Sequence, residues 1–218
     1  MQLLKKIFRK ISRFISEIFL RFDFLKRSVV KPKVPVNAGD KTYVHIGCGE
    51  INAPEFINID ARPHSHVHIV TDDLIGGLQQ FPDDSIDLVY MSHLLEHISH
   101  REVLSVVKNI YKKIAKEGVL RIGVPDFDYI CDIYTKNGKN MESIILPLMG
   151  AQDYPYNFHY GMFNEQSLTT LLLKAGFTSV RRWDPETVDH HDFEDWSSRK
   201  IVVNDVEYPI SLNLEGVK

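Results

Sequence analysis

Cysteine is scarce in this chain: among 218 residues only Cys48 and Cys131 occur. Two thiols make no disulfide framework, so a reducing, cytoplasmic compartment is expected. Long apolar runs are lacking too. No stretch of about 18 uninterrupted apolar residues is present, so no membrane-spanning helix is expected. Charges break every candidate apolar core in residues 1–30, which argues against a secretory signal. Most of the chain is also poor in net positive charge. The overall formal charge is −3, yet ten Lys/Arg against Glu17 and Asp23 give residues 1–33 a net +8, so the remainder carries −11. A body this acidic lacks the cationic footprint of a general nucleic-acid binder, and no nucleic-acid partner is expected. The length leaves room for one good core and little for a second domain.

The basic segment stands apart. Residues 3–25 place Leu3, Leu4, Ile7, Phe8, Ile11, Phe14, Ile15, Ile18, Phe19, Phe22 and Leu25 at helical three-and-four spacing. Lys5, Lys6, Arg9, Lys10 and Arg13 fill much of the opposite face, the pattern of an amphipathic helix. Its apolar face could pack on the parent domain or a second copy. Alternatively, residues 1–27 could lie in the plane of an anionic membrane surface, which the segregation of cations from aromatics suits. The Pro- and Gly-containing stretch 31–40 reads as a linker, so residues 1–40 are set apart from a domain at 41–218.

From residue 42 onward, short β-rich runs alternate with helical periodicity. Thr42–Ile46 ends on Gly47-Cys48-Gly49, Phe56–Ile59 on Asp60, and Val67–Val70 on Asp72 and Asp73. Ile86–Met91 has the composition of a buried parallel strand. Helical periodicity follows to about residue 116, with Gly118 closing the helix and opening a strand at Val119–Val124. This alternation predicts a doubly wound, mostly parallel sheet. Ligands bind such sheets beyond the carboxyl ends of the strands, where Gly47, Asp60, Asp73, His93 and Asp126 all fall.

The segments VHIGCGE, FINID, FPDDSIDLVYMSHLLEHIS, YKKIAKEGVLRIGVPD, HYGMFNEQSLTTLLLKAGF and PISLNLEGVK, in this order and spacing, resemble successive motifs of class I S-adenosylmethionine (SAM)-dependent methyltransferases. The likeness spans roughly 42–218 and is strongest to a small branch often encoded among polysaccharide-synthesis genes. It implies a seven-stranded Rossmann-like methyltransferase fold and SAM as cofactor. It further implies that Gly47, Cys48 and Gly49 pass beneath the methionine part of SAM and that Asp60 holds the ribose hydroxyls. Asp73 or Asp72 would face the adenine amine, Leu74 would flank the ring, and His93 would sit beside the methionyl group. Two departures stand out. His45 occupies the position two before the first glycine, where the family pattern has an acid, and Ile51 replaces a third glycine. About eight residues separate the first two strands, so the usual first crossover helix is expected to shrink to a loop or one turn.

The leading expectation is O-methylation of a glycan or glycolipid precursor, which calls for a base near neutral pKa, and ten histidines are available. His93, Glu96, His97 and His100 fall at i, i+3, i+4 and i+7, one face if the segment is helical. That spacing could chelate an ion, but the expectation is a histidine base, among His97, His159, His190 and His191, with no metal required. His64, His66 and His68 read as a solvated strand edge. The polar segment 189–196 reads as part of the acceptor pocket, with Trp183 and Trp196 as candidate sugar-stacking platforms. Two other classes stay open: a methyltransferase for a small soluble metabolite or a protein side chain, and a non-catalytic subunit of the same fold.

Overall fold

The computed structural model describes residues 31–218, apart from the side chains of Leu74 and Ile75. The amphipathic segment 1–27 therefore lies outside the described residues. Nine strands and five helices follow: β1 Tyr43–Ile46, β2 Ile57–Asp60, β3 Ile69–Val70, α1 Leu74–Leu78, β4 Ile86–Ser92, α2 Val103–Lys113, β5 Ile114–Pro125, α3 Phe127–Lys136, α4 Ile145–Met149, α5 Glu165–Ala175, β6 Ser179–Arg182, β7 Lys200–Val203, β8 Val206–Pro209 and β9 Ser211–Val217. Seven strands form one sheet in the order β3-β2-β1-β4-β5-β9-β6, and β7-β8 form a separate hairpin. Within the seven-stranded sheet β9 alone runs against its neighbours, pairing antiparallel with β5 and β6.

Alternation along the strands sorts the side chains. Val44 and Ile46, Val89 and Met91, Ile122 and Val124, and Leu212 and Leu214 face one side. There they pack on Val103, Val107 and Ile110 of α2 and on Leu168 and Leu172 of α5. The opposite side carries His45, Asn58, Tyr90, Arg121 and Glu215, all buried. Among the described residues this polar face is covered by the chain from Trp183 to Arg199. Trp183 Nε1 donates to the Ile122 carbonyl at 3.1 Å, and Arg121 donates to the Asp189 carbonyl at 2.7 Å. Phe193 fills the space against His45, Phe56 and Tyr90. Arg121, Glu215 and Arg181 lie side by side on β5, β9 and β6, with Glu215 accepting from both guanidiniums at 2.8 and 2.9 Å.

Three local expectations change. The helix after β4 does not start at His93. That residue has φ 49°, a one-turn 3-10 segment covers Leu95–His97, and α2 begins only at Val103. Nor does α2 run to residue 116. Ile114, fully buried, pairs with Ile86 and starts β5, so sheet pairing overrides helical periodicity. Gly118 lies inside that strand, where its pairing with β4 shifts register, and an added Cβ would lie 2.8 Å from Ile114 and 2.9 Å from the Ala115 carbonyl. Finally, His64, His66 and His68 precede β3 in a folded turn rather than along a strand edge. His64 is buried against the His66 ring, and His68 Nδ1 accepts the Asn58 N–H at 3.0 Å. Residues 47–56, between β1 and β2, contain no helix, as the short spacing led one to expect.

Candidate active site

A cleft of about 360 Å³ opens at the carboxyl ends of β1, β4 and β5. Its walls are the turn Gly47–Ile51, the residues just past β4, the segment 146–159, and Asp195 to Arg199.

The glycine turn is held from beneath. Gly47 and Cys48 N–H both donate to the Ile59 carbonyl, at 2.8 and 3.2 Å. Gly49 N–H donates to Asp60 Oδ2 and Arg62 N–H to Asp60 Oδ1, each at 2.7 Å. Gly47 and Gly49 have φ of 70° and 55°, a conformation that side chains disfavour. A Cβ on Gly47 would stand 2.8 Å from Leu94, so the fold itself needs this glycine. Burial pushes the Cys48 thiol pKa up, leaving it a neutral wall group.

The cleft floor is polar and charged. His45 is 1% exposed, and burial lowers its pKa to about 4, so the ring is neutral near pH 7. Its Nδ1 has no hydrogen-bond partner among the described residues. Burial would raise the Asp195 pKa, but the neighbouring His191, Ser197 and Tyr90 hold it well below the ordinary carboxylate range. Tyr90 and Ser197 hydroxyls each donate to Asp195 at 2.5 Å. Asp195 thus keeps a negative charge close to His45.

At the far end three imidazoles converge on one carboxylate. Glu96 is 1% exposed, and neither of its oxygens accepts a well-aligned hydrogen bond among the described residues. His93 Nδ1, His159 Nε2 and His97 Nε2 stand 3.3, 3.9 and 4.0 Å from its Oε1. Burial works to raise the Glu96 pKa, yet His93, His97 and His159 together bring it below the ordinary value. Burial lowers that of His159 against the opposing pull of Glu96.

The other expected residues fall elsewhere. Asp72 and Asp73 are exposed and do not line the cleft; Asp73 Oδ1 accepts the Gly76 N–H at 2.9 Å at the start of α1. The role expected of the Leu74 side chain lies outside the described residues. His190 pairs with Glu55 at 3.0 Å and Tyr43 at 3.2 Å, away from the cleft. His191 is buried under the floor, bonded to the Pro185 carbonyl at 3.1 Å and to Tyr90 and Ser197 at 3.2 Å. It holds Asp195 rather than facing a ligand. Trp183 is buried, whereas Trp196 is 42% exposed and lines the cleft with Arg199 over its ring at 4.6 Å. Residues 189–196 thus serve mainly as cover for the sheet, with Asp195 and Trp196 reaching the cleft.

A methyltransferase domain model matches residues 5–181. The chain belongs to this methyltransferase family. The match begins well before residue 42, where the motif likeness starts. A SAM-dependent methyltransferase of Archaeoglobus fulgidus superposes with a TM-score of 0.53 at 16% identity, covering 95% of this chain and 99% of that one. A Thermotoga maritima protein, described as a SAM-dependent methyltransferase and possible histamine N-methyltransferase, gives 0.50 at 17%, covering 98% and 99%. At such identities these neighbours establish the fold. No curated protein sequence matches the chain significantly.

The protein is a SAM-dependent methyltransferase, and its residues fit that cofactor. Buried His45 and a charged Asp195 line the cleft beside the glycine turn, offering a polar, anionic wall to a cationic ligand. Asp60 departs from a simple ribose acceptor, because its carboxylate also fastens the turn. Asp60→Ala should therefore lower the stability of the ligand-free protein by about 1–3 kcal/mol, the cost of unpairing buried donors, besides weakening SAM binding. Urea denaturation without SAM checks this; unchanged ligand-free stability would mean that Asp60 serves only the ligand.

Proposed function

We propose that this methyltransferase acts on a hydroxyl oxygen of a glycan or glycolipid precursor, and that residues 1–27 hold it on an anionic membrane surface. The observation that carries the first part is the half-exposed Trp196 ring on the cleft wall, 5.8 Å from the His93 ring and beside the buried Glu96 cluster. A flat aromatic face with a cation over it suits a sugar ring carrying polar substituents. Exposed Ile145, Leu146 and Met149 on α4, with Leu146 on the cleft wall, give the rim the apolar character that a lipid-linked acceptor would meet.

SAM, when bound, supplies an activated methyl group on a sulfonium. The chain's own task is alignment and proton removal. The turn Gly47–Gly49, with His45 and Asp195, would hold the cofactor's methionine end. Trp196 and Arg199 would orient the acceptor. The Glu96, His97 and His159 group lies where an acceptor hydroxyl between these walls would lose its proton.

Labelled-methyl transfer across free sugars, nucleotide sugars and isoprenoid-linked sugars should give product with a carbohydrate acceptor. With that acceptor, Trp196→Ala should raise KM by roughly tenfold, about 1.4 kcal/mol of stacking, and change kcat less. Product only with small non-sugar metabolites or with proteins would refute this reading.

The membrane part rests on the segregation of cations and large apolar residues in 1–27 and on the −11 charge of the remainder, which gains by standing off anionic lipid. Full-length protein should co-sediment with anionic liposomes and be released by salt; protein lacking residues 1–27 should stay in the supernatant. Equal partitioning of the two would assign the helix to packing.

A further inference from the structure

From the arrangement of ring nitrogens around Glu96 we infer that Glu96, His97 and His159 form a binding site for one divalent transition-metal ion of the zinc type. One ligand atom from each lies within 4.8 Å of the others. The spacing in the sequence suggested His93 and His100 as their partners, but His100 is exposed beyond the 3-10 turn. The third ligand instead comes from a loop more than sixty residues away.

The hydrogen bonds on the outer side of the rings decide the chemistry. His97 Nδ1 contacts the Phe158 carbonyl at 3.0 Å, and His159 Nδ1 contacts the Pro147 carbonyl at 3.1 Å. A carbonyl only accepts, so both Nδ1 atoms carry hydrogen. In the neutral rings both Nε2 atoms then present bare lone pairs, and both are turned toward Glu96 Oε1. Two lone pairs and a buried carboxylate facing one another repel unless a cation sits among them. Protons on the rings would draw N–H···O⁻ contacts to about 2.7–2.9 Å, shorter than the 3.9 and 4.0 Å observed. A tetrahedral ion with bonds of about 2.0–2.1 Å spaces its ligands roughly 3.3 Å apart, within a small side-chain adjustment of these distances.

The surroundings match those of a metal centre. Backbone carbonyls fix the tautomer and orientation of both ligating rings, the usual outer support of a metal histidine. The loop bearing His159 is fastened to Glu96 itself: Tyr160 and Gly161 N–H donate to the Glu96 carbonyl at 2.8 and 3.0 Å. Two imidazoles and one carboxylate favour zinc, cobalt or nickel over magnesium, which prefers oxygen ligands. All three ligands line the cleft, so a fourth position would face the acceptor. A hydroxyl bound there would be acidified and release its proton to water at the cleft mouth. This last role rests on the hydroxyl-acceptor reading above; the ion site does not.

The test uses full-length protein stripped with a chelator and titrated with Zn²⁺ or Co²⁺ alone, with neither SAM nor acceptor. The expected result is one equivalent of Zn²⁺ per chain by calorimetry and the visible absorption of four-coordinate cobalt. Glu96→Gln and His159→Ala should each weaken Zn²⁺ binding by more than the roughly 10–100-fold that loss of an outer support costs, while His190→Ala leaves it unchanged. Retained SAM binding identifies folded variants, and should Glu96→Gln not fold, His159→Ala and the wild-type cobalt spectrum decide. Wild-type protein that binds no zinc, or His159→Ala that binds it equally well, would overturn the site. Zinc binding combined with a non-carbohydrate acceptor would overturn only the acceptor reading.

Discussion

A parallel sheet delivers its strand ends to one edge, and the backbone turning away there must place its N–H and C=O groups somewhere. In this protein the first turn solves that problem with two neighbours. The Ile59 carbonyl takes two of its N–H groups, and the Asp60 carboxylate takes that of Gly49 while also holding the Arg62 N–H beyond β2. Everything at the cofactor end of the cleft hangs on this arrangement. The glycines can adopt positive φ because nothing is asked of their side chains, and Leu94 closes beneath Gly47 because no Cβ intervenes. One acid thus shapes the turn that borders the cleft, so stability and binding are expected to be coupled at Asp60.

The second constraint is the polar face of the sheet. Burying His45, Tyr90, Arg121 and Glu215 under loop chain rather than helix costs free energy unless their partners are supplied. The chain from Trp183 to Arg199 supplies those of Tyr90 and Arg121, with His191 and Asp195 bonded to Tyr90 and Asp189 capping Arg121, while Glu215 is paired by Arg121 and Arg181 within the sheet. That cover is also what brings Asp195 and Trp196 to the cleft. Structural and functional demands meet in one segment, which explains why it is dense in histidine and acid.

Local signals carried the fold well. The strand ends at Gly47, Asp60 and His93 could be read from β-rich runs that stop on turn residues, and the missing first crossover helix from the short spacing. Contacts set by distant chain could not be read. The spacing of His93, Glu96, His97 and His100 resembles a helix face, yet His93 at φ 49° breaks the helix before it starts. His159 joins Glu96 only because a turn pinned by Gly150 at φ 74° folds its loop back over residue 96. The neighbours His190 and His191 looked equivalent, but one sits at the sheet surface beside Glu55 and the other lies under the cleft floor. Trp183 and Trp196 diverge for the same reason: which of them is buried depends on how the covering segment crosses the sheet.

The proposed seat of SAM is the cleft over the glycine turn, walled by His45 and Asp195. Calorimetric titration of the wild-type protein with SAM, repeated on Asp195→Asn, tests it most directly. One site per chain of roughly micromolar affinity, about −8 kcal/mol, is expected, with weaker binding in Asp195→Asn because the cationic ligand loses a fixed negative charge. Absence of heat with wild-type protein, or equal affinity in the two proteins, would contradict it.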